Sequence, residues 1–451
     1  MTSVDALLDI ARGLVAQAEP GEQLEVACSE GESTAVRVYG GEVESFTSAR
    51  NRGIGVRVIR DGREGFASAG SLDPDVVAQM LADARDNAGF AEADPDAGVA
   101  EPDGVAAVDI DLWRDSVTQL DAQTKIQTAI DLEARVKAAD PRISGVRTAT
   151  FGDNASAFAL ASTSGIESGG RSTSVSCGVQ ALAPDGERTQ IGYGGDAARE
   201  YDDLDFDALI ERAVSQTVDL IGATKPPTAT VSLVLDPRQA ATVLGLVAGT
   251  LTGDRVIKGR SPFIGREGEA IASPLLTMVD DPTDSASLGA DDYDGEGLAC
   301  RRNPLVTAGV LDGFLHDAYT GRRTGLGSTG SAVRSTRGLP SPGVHALAVA
   351  PGTGGDLEAM IGGVDLGVLV FGLAGLHSGV NAVSGDFSVG VEGRMIRNGA
   401  LAEPISECTV SSTLQRLLLG ITAVGSDLTH LPSGVSTPSV VIGDVMLSGQ
   451  S

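Results

Sequence analysis

Apolar residues recur along this chain with two different periods, and the switches between them lay out its elements. Leu7, Leu8, Ala11, Leu14 and Val15 return at helical spacing and predict an amphipathic helix at the start. The period then falls to two. "LEVACSE", "TAVRVYGGEVESFTSA" and "GIGVRVIRDGREGFASAG" alternate apolar and polar positions, with Gly40-Gly41 and Asp61-Gly62 where hairpins turn. This predicts an antiparallel sheet with one solvated face, followed by a helix from about Asp73 to Asn87.

The acidic stretch from Ala91 to Asp109 is punctuated by Pro and Gly and predicts a linker or loosely held loop. Beyond it, Asp121 can cap a helix running through Val136, with Ile126, Ala129, Ile130 and Val136 inward, until Asp140-Pro141 stops it. Strand-like runs follow ("VRTATFGDN", "AFALASTSG", "STSVSCGVQALA"), then the amphipathic helix in "DFDALIERAVSQTVDLIGAT". Lys225-Pro226-Pro227 marks a second break. From Thr228 onward the chain is Gly-rich, with strand candidates such as "VSLVLD", "LGVLVFGL" and "PSVVIGDVML" and a hairpin signal at Asn398-Gly399. The expected fold class is α/β in the α+β sense. The expected parts are an N-terminal antiparallel-sheet-plus-helix domain (1–100), a central α/β segment (110–224) and a large C-terminal α/β domain (228–451).

One helix departs from amphipathicity. In "DPRQAATVLGLVAGTLTGD", Asp236 suits the N-cap and Pro237 the first helical position. Ala240, Ala241, Val243, Leu244, Leu246, Val247, Ala248 and Leu251 then leave almost no polar face, so the helix is expected to be buried all round. It carries no His, Glu, Cys or Ser.

Composition narrows the function. At 451 residues the chain is too long for one core, and 59 glycines with 4% aromatics fit many tight turns and small strands. A net charge of -28 argues against nucleic acid and anionic membrane surfaces, whose binding needs clustered Lys and Arg. Cys28, Cys177, Cys300 and Cys408 are far apart, which fits a reducing cytoplasm better than a disulfide scaffold. The N-terminal segment lacks the basic start of a secretion signal, and no stretch reaches transmembrane length uninterrupted.

Chemical motifs are sparse. His316, His345, His377 and His430 stand apart, with no HExxH or HxH spacing, and no GxSxG elbow is present. "GSTGSAVRSTRG" (327–338) is read as an ordered loop lining a groove, able to meet an anion through backbone N–H groups with Arg334 or Arg337. The Asp-dense run from Val279 to Gly297 departs from calcium-loop spacing and is read as a solvated loop.

Four separated stretches resemble the TldD/PmbA (TldD/TldE) family: "RNRGIGVRVIRDGREGFAS", "GRSPFIGREGEAIASPLLTMVDDP", "DYDGEGLACRRNPLVTAGVLDGFLHDAYTGRRTGLGSTGSAVR" and "GVNAVSGDFSVGVEGRMIRNGAL". The resemblance spans nearly the whole chain in the same order. It implies a smaller N-terminal region, a large C-terminal domain and proteolysis. TldD-type members carry HExxxH on a helix after a strand, where two His bind zinc and the Glu activates water. In this chain that window falls on Leu244, Gly245 and Gly249, and no Cys follows Cys408. The resemblance therefore points to the TldE/PmbA branch, whose members lack the metal motif and pair with a TldD subunit.

Three readings follow. The chain is a non-catalytic subunit that holds no cofactor and pairs with a zinc-bearing TldD-type metallopeptidase subunit acting on peptides or unfolded polypeptides. Or it is an independent hydrolase using His377 with Asp386, or His316 with Asp317. Or it is a homodimeric binding or scaffold protein. Arg322, Arg323, Arg334, His377, Asn381 and Asp386 are candidates for a substrate cleft, with ordinary salt bridges as their alternative role. In the small residues of the silent helix, Gly245, Ala248 and Gly249, the expectation is close approach by neighbouring backbone.

Overall fold

The computed structural model describes residues 3–450. Its N-terminal half is built on one six-stranded antiparallel sheet. In spatial order the strands are Arg63–Ala69, Glu42–Arg60, Glu22–Tyr39, Gly145–Ser162, Glu167–Asp185 and Arg188–Ala198. The two central strands come from either side of the 91–109 stretch and pair in long register, Val26 opposite Ala161 and Val36 opposite Phe151. One hydrogen-bonded sheet therefore joins residues 1–100 to residues 110–224.

Each half of that sheet repeats one plan: a helix, three strands, a helix. The first set is Val4–Val15, three strands and Pro74–Phe90; the second is Ala122–Ala139, three strands and Phe206–Val218. Ser3 and Asp121 cap the two opening helices through Ala6 N and Thr124 N. Each helix pair covers its own core, around Leu7, Leu14, Leu24, Val56 and Leu81 in one half and Val38, Leu132, Phe151, Val179 and Leu209 in the other. The helix Phe206–Val218 comes so near its strand that a Cβ on Gly194 would lie 1.9 Å from the Leu209 carbonyl oxygen.

The turns fall where the dipeptides put them. Gly40-Gly41, Asp61-Gly62 and Asn398-Gly399 all hold positive φ at both residues, the geometry of tight hairpins. Two expectations change. Residues 145–162, read as two runs, form one 18-residue strand, because both neighbouring strands pair with it without a break across Gly152-Asp153-Asn154. The 91–109 stretch lacks regular structure yet is held: Asp94 N bonds Gly62 O, Ile110 N bonds Asp292 Oδ1, and Val99 and Ala100 are buried.

In the C-terminal part, strands Ala400–Thr413, Asp386–Arg397, Leu366–Ala374, Ala229–Leu235, Val440–Ser448 and Ile421–Val424 form a mixed sheet. Thr409 to Ser411 also pair with Met446 to Ser448, closing five of these strands into a small barrel. A second six-stranded sheet of short strands, including Met278–Asp280 and Leu347–Val349, packs beside it. The helix Pro237–Ala248 shares the core of both sheets, with Val231, Leu305, Val370, Val389 and Ile442. Among the described residues, no helix is long and apolar enough to cross a membrane.

The sheet of the N-terminal half has no solvated face over residues 53–59. Helices cover one side. The C-terminal loop at 332–337 covers the other, where a Cβ on Gly55 would lie 2.6 Å from the Thr336 carbonyl oxygen. Over this stretch the predicted solvated face is thus a contact between the two parts of the molecule, whereas residues 42–52 of the same strand stay largely exposed.

Candidate functional site

The helix Pro237–Ala248 begins as the sequence indicates. Asp236 accepts from Gln239 N at 2.9 Å and also pairs with Arg212 at 2.7 Å. Ala240, Val243, Leu244, Val247 and Ala248 face the core. The helix is not buried all round, however. Gln239, Thr242, Gly245 and Leu246 are half-buried, and Gly249 is exposed, so one stripe opens outward. Thr242 bonds the Arg238 carbonyl of its own helix, and Gln239 Nε2 donates to Phe371 O at 2.9 Å.

That stripe corrects the expectation for the glycines. A Cβ on Gly245 would meet nothing within 4 Å, and one on Gly249 only carbonyl oxygens of its own helix, at 3.4 and 3.6 Å. Neither glycine admits neighbouring backbone of this chain. Leu244 sits in the core with 1% exposure. A metal ion does not fit here: an isobutyl group and two hydrogens at these positions supply no donor atom. Among the described residues no group of three or more His, Cys, Asp or Glu side chains is arranged to hold a metal ion.

The other nucleophile and acid–base candidates are equally unprepared. All four cysteines are free and buried; burial raises each thiol, to about 12 for Cys28 and Cys177 and about 11 for Cys408, so none is a ready thiolate. His316 faces Thr320 Oγ1 at 3.3 Å, and burial draws its pKa down. Asp317 caps the helix Ala318–Thr324, accepting Thr320 N at 2.8 Å and Thr320 Oγ1 at 2.6 Å. These two neighbours in sequence share no hydrogen bond. Nor do His377 and Asp386; the Asp386 carboxylate accepts from Ser384 Oγ at 2.6 Å.

The six cleft candidates separate into two places. Asn381 and Asp386 shape a loop: Asn381 Oδ1 accepts Val383 N at 2.9 Å, and Asn381 N bonds Asp386 O at 2.9 Å. His377 is exposed on the short helix Leu376–Gly379 that leads into it. The arginines instead face the N-terminal half. Arg322 donates to the carbonyl oxygens of Asp96, Gly98 and Val99 at 2.9, 2.7 and 3.2 Å. Arg323 donates to Tyr319 Oη and lies 3.7 Å from Asp94. Arg334 is buried against Glu25 of the central strand.

Arg334 belongs to a buried charge cluster that pattern reading missed. Glu25 and Arg57 are register partners on adjacent strands, pointing at the C-terminal part. Arg57 Nη1 lies 3.7 Å from Glu25 Oε1 and 3.6 Å from Glu296 Oε1, and its Nε donates to Glu64. Burial, then repulsion from Glu25, pushes the Glu296 carboxyl up to about 8, so it is mostly protonated at neutral pH. The sequence held one signal: Glu25 and Arg57 are charged positions within the short, otherwise apolar runs "LEVAC" and "GIGVRVI".

The Asp-dense run is likewise not a solvated loop. Asp280 accepts His345 N and Ala346 N at 3.0 and 2.7 Å, and Asp294 accepts Glu296 N, Leu298 N and Ala332 N at 2.9, 3.0 and 3.0 Å. Buried carboxylates here take up backbone N–H groups of the surrounding loops and of Ala332.

Comparison with known proteins agrees along the chain. Residues 24–88 match PmbA/TldA metallopeptidase domain 1, residues 115–221 its central domain, and residues 228–449 its C-terminal domain. Metalloprotease PmbA of Escherichia coli O157:H7 is 27% identical over 99% of this chain and 96% of its own length. The crystal structure of TldE from Thermococcus kodakarensis superposes with a TM-score of 0.89 at 23% identity, covering 98% of this chain and 100% of that one. A solved Thermotoga maritima protein gives 0.88 at 22% identity, covering 99% and 100%. The chain belongs to the PmbA/TldD metallopeptidase family, in its PmbA-like branch.

Proposed function

We propose that this chain is the non-catalytic subunit of a TldD/TldE-type metallopeptidase complex, pairing in the cytoplasm with a zinc-bearing TldD-type subunit and helping it act on peptides or unfolded polypeptides. The observation that carries this reading is the helix Pro237–Ala248. It stands where the family resemblance places the metal-binding helix, yet offers Leu244 to the core and Gly245 and Gly249 to open space. No metal-activated water can form on such a surface. Its outward stripe suits a wall of a chamber completed by another subunit.

The test is affinity purification of this chain from its native cells at low salt, with mass spectrometry of what accompanies it, followed by peptidase assays. A stoichiometric second chain carrying HExxxH is expected, with peptide cleavage only when both chains are present and lost on chelation. Recovery of a homodimer alone overturns the reading in favour of a scaffold. Cleavage by the purified chain by itself overturns it in favour of an independent hydrolase.

A further inference from the structure

A cavity of about 440 Å³ lies between the N-terminal sheet and the C-terminal loops at 288–295 and 332–334. It shares no residue with the helix Pro237–Ala248, and of the cleft candidates it includes only Arg334. Its volume falls within the range of small-molecule sites.

Its polar lining is unbalanced in a specific way. Arg171 and Arg199 both line it, and neither has a carboxylate within 4.0 Å among the described residues. Arg199 donates one Nη2 bond to Ser287 O at 2.9 Å, while its buried Nε has no partner. Arg334 also lines the cavity with its side chain 1% exposed; Glu25 occupies Nη1, and Nε and Nη2 are orphaned. Ser168 Oγ, on the same wall, is buried and orphaned too.

The acidic residues of the wall make no hydrogen bond to these donors. Asp294 accepts three backbone N–H groups, Asp292 accepts Ile110 N at 3.0 Å, and Asp291 accepts Tyr293 N at 3.4 Å. Burial raises the pKa of all three, and Asp291 acts on Arg199 through charge without a hydrogen bond to it. His345 is engaged through Nε2 with Ala332 O at 3.0 Å. Leu112 and Phe158 add apolar wall. Buried guanidinium N–H groups are costly unless an acceptor reaches them, and the planar fork suits an oxyanion.

We infer that this cavity binds a small organic anion, its carboxylate or phosphate held among Arg171, Arg199 and the free edge of Arg334 and its body against Leu112 and Phe158. The site is separate from the proposed pairing role and stands without it.

A reporter is built in. Trp113, the only tryptophan of the chain, lies under Arg171, with Cζ 4.6 Å from the ring centre. The full chain is titrated by calorimetry and Trp113 fluorescence with inorganic phosphate, N-acetyl-leucine and the neutral N-acetyl-leucinamide. Saturable binding of one anion per chain is expected, with none for the amide. Arg199→Met and Arg171→Met should each weaken it roughly tenfold or more. Arg171 is exposed at the mouth, so its variant stays informative if the Arg199 variant fails to fold. Binding of phosphate alone assigns a phosphate-bearing ligand, and binding of N-acetyl-leucine a carboxylate. The inference is overturned if neither anion saturates, if the amide binds equally, or if the folded Arg171 variant binds as the parent does.

Discussion

Arg334→Met is the sharpest perturbation of the contact between the two parts of the molecule. The arginine side chain is 1% exposed and its partner Glu25 0%, so the pair is fully withdrawn from water. Without the guanidinium, the nearest cation to Glu25 is Arg57 Nη1 at 3.7 Å, itself shared with Glu296 and Glu64. Methionine fills similar volume, so the cost is chiefly that of a stranded buried carboxylate, about 3–5 kcal/mol. Replacing both partners, Glu25→Leu with Arg334→Met, removes the stranded charge and should restore all but about 1–2 kcal/mol of that loss. The assay is urea unfolding of the parent, both single variants and the double variant, read as a double-mutant cycle. A cost below about 1 kcal/mol for Arg334→Met, or strictly additive single effects, would refute the claim that this pair is buried and coupled.

Three further outcomes are expected. Because Glu296 has a folded pKa near 8, above the ordinary value of 4.5, its contribution to stability is full below about pH 4.5 and is lost as pH rises through 8. Between pH 6 and 9 the loss is at most about 3 kcal/mol, visible as a falling Tm that Glu296→Gln should flatten. Gly245→Ala should stabilise the isolated chain by about 0.5–1 kcal/mol, since its Cβ meets nothing and alanine is the better helix former. Weakened pairing in the same variant would show that a partner packs there, and destabilisation of the isolated chain would contradict the open stripe. Arg322→Ala removes three bonds to the carbonyl oxygens of Asp96, Gly98 and Val99, so limited proteolysis should cut near these residues faster while the global Tm changes little; unchanged cleavage would mean other contacts hold the loop.

The sequence by itself determined much of the local architecture. Hairpin dipeptides with positive φ, helix caps at Asp121 and Asp236 and period-two runs set elements through contacts between near neighbours, and the structure keeps them. It also determined that the helix at 237–248 carries no ligand or base, because chemistry absent from a segment cannot be supplied by folding it. Only the tertiary structure decided what the faces meet. Period two says that Glu25 and Arg57 share a face of their sheet, but not that Arg334, some three hundred positions later, closes over them. The Asp-dense run reads as solvated because charge favours water, whereas backbone N–H groups of distant segments take it into the interior. Likewise, a glycine in the sequence says nothing of its surroundings: Gly194 in its strand lies against helix backbone, while Gly245 in its helix faces open space. The difference is one of range, since hydrogen bonds and torsions act within a few residues, whereas burial and charge pairing depend on every segment that arrives from elsewhere in the chain.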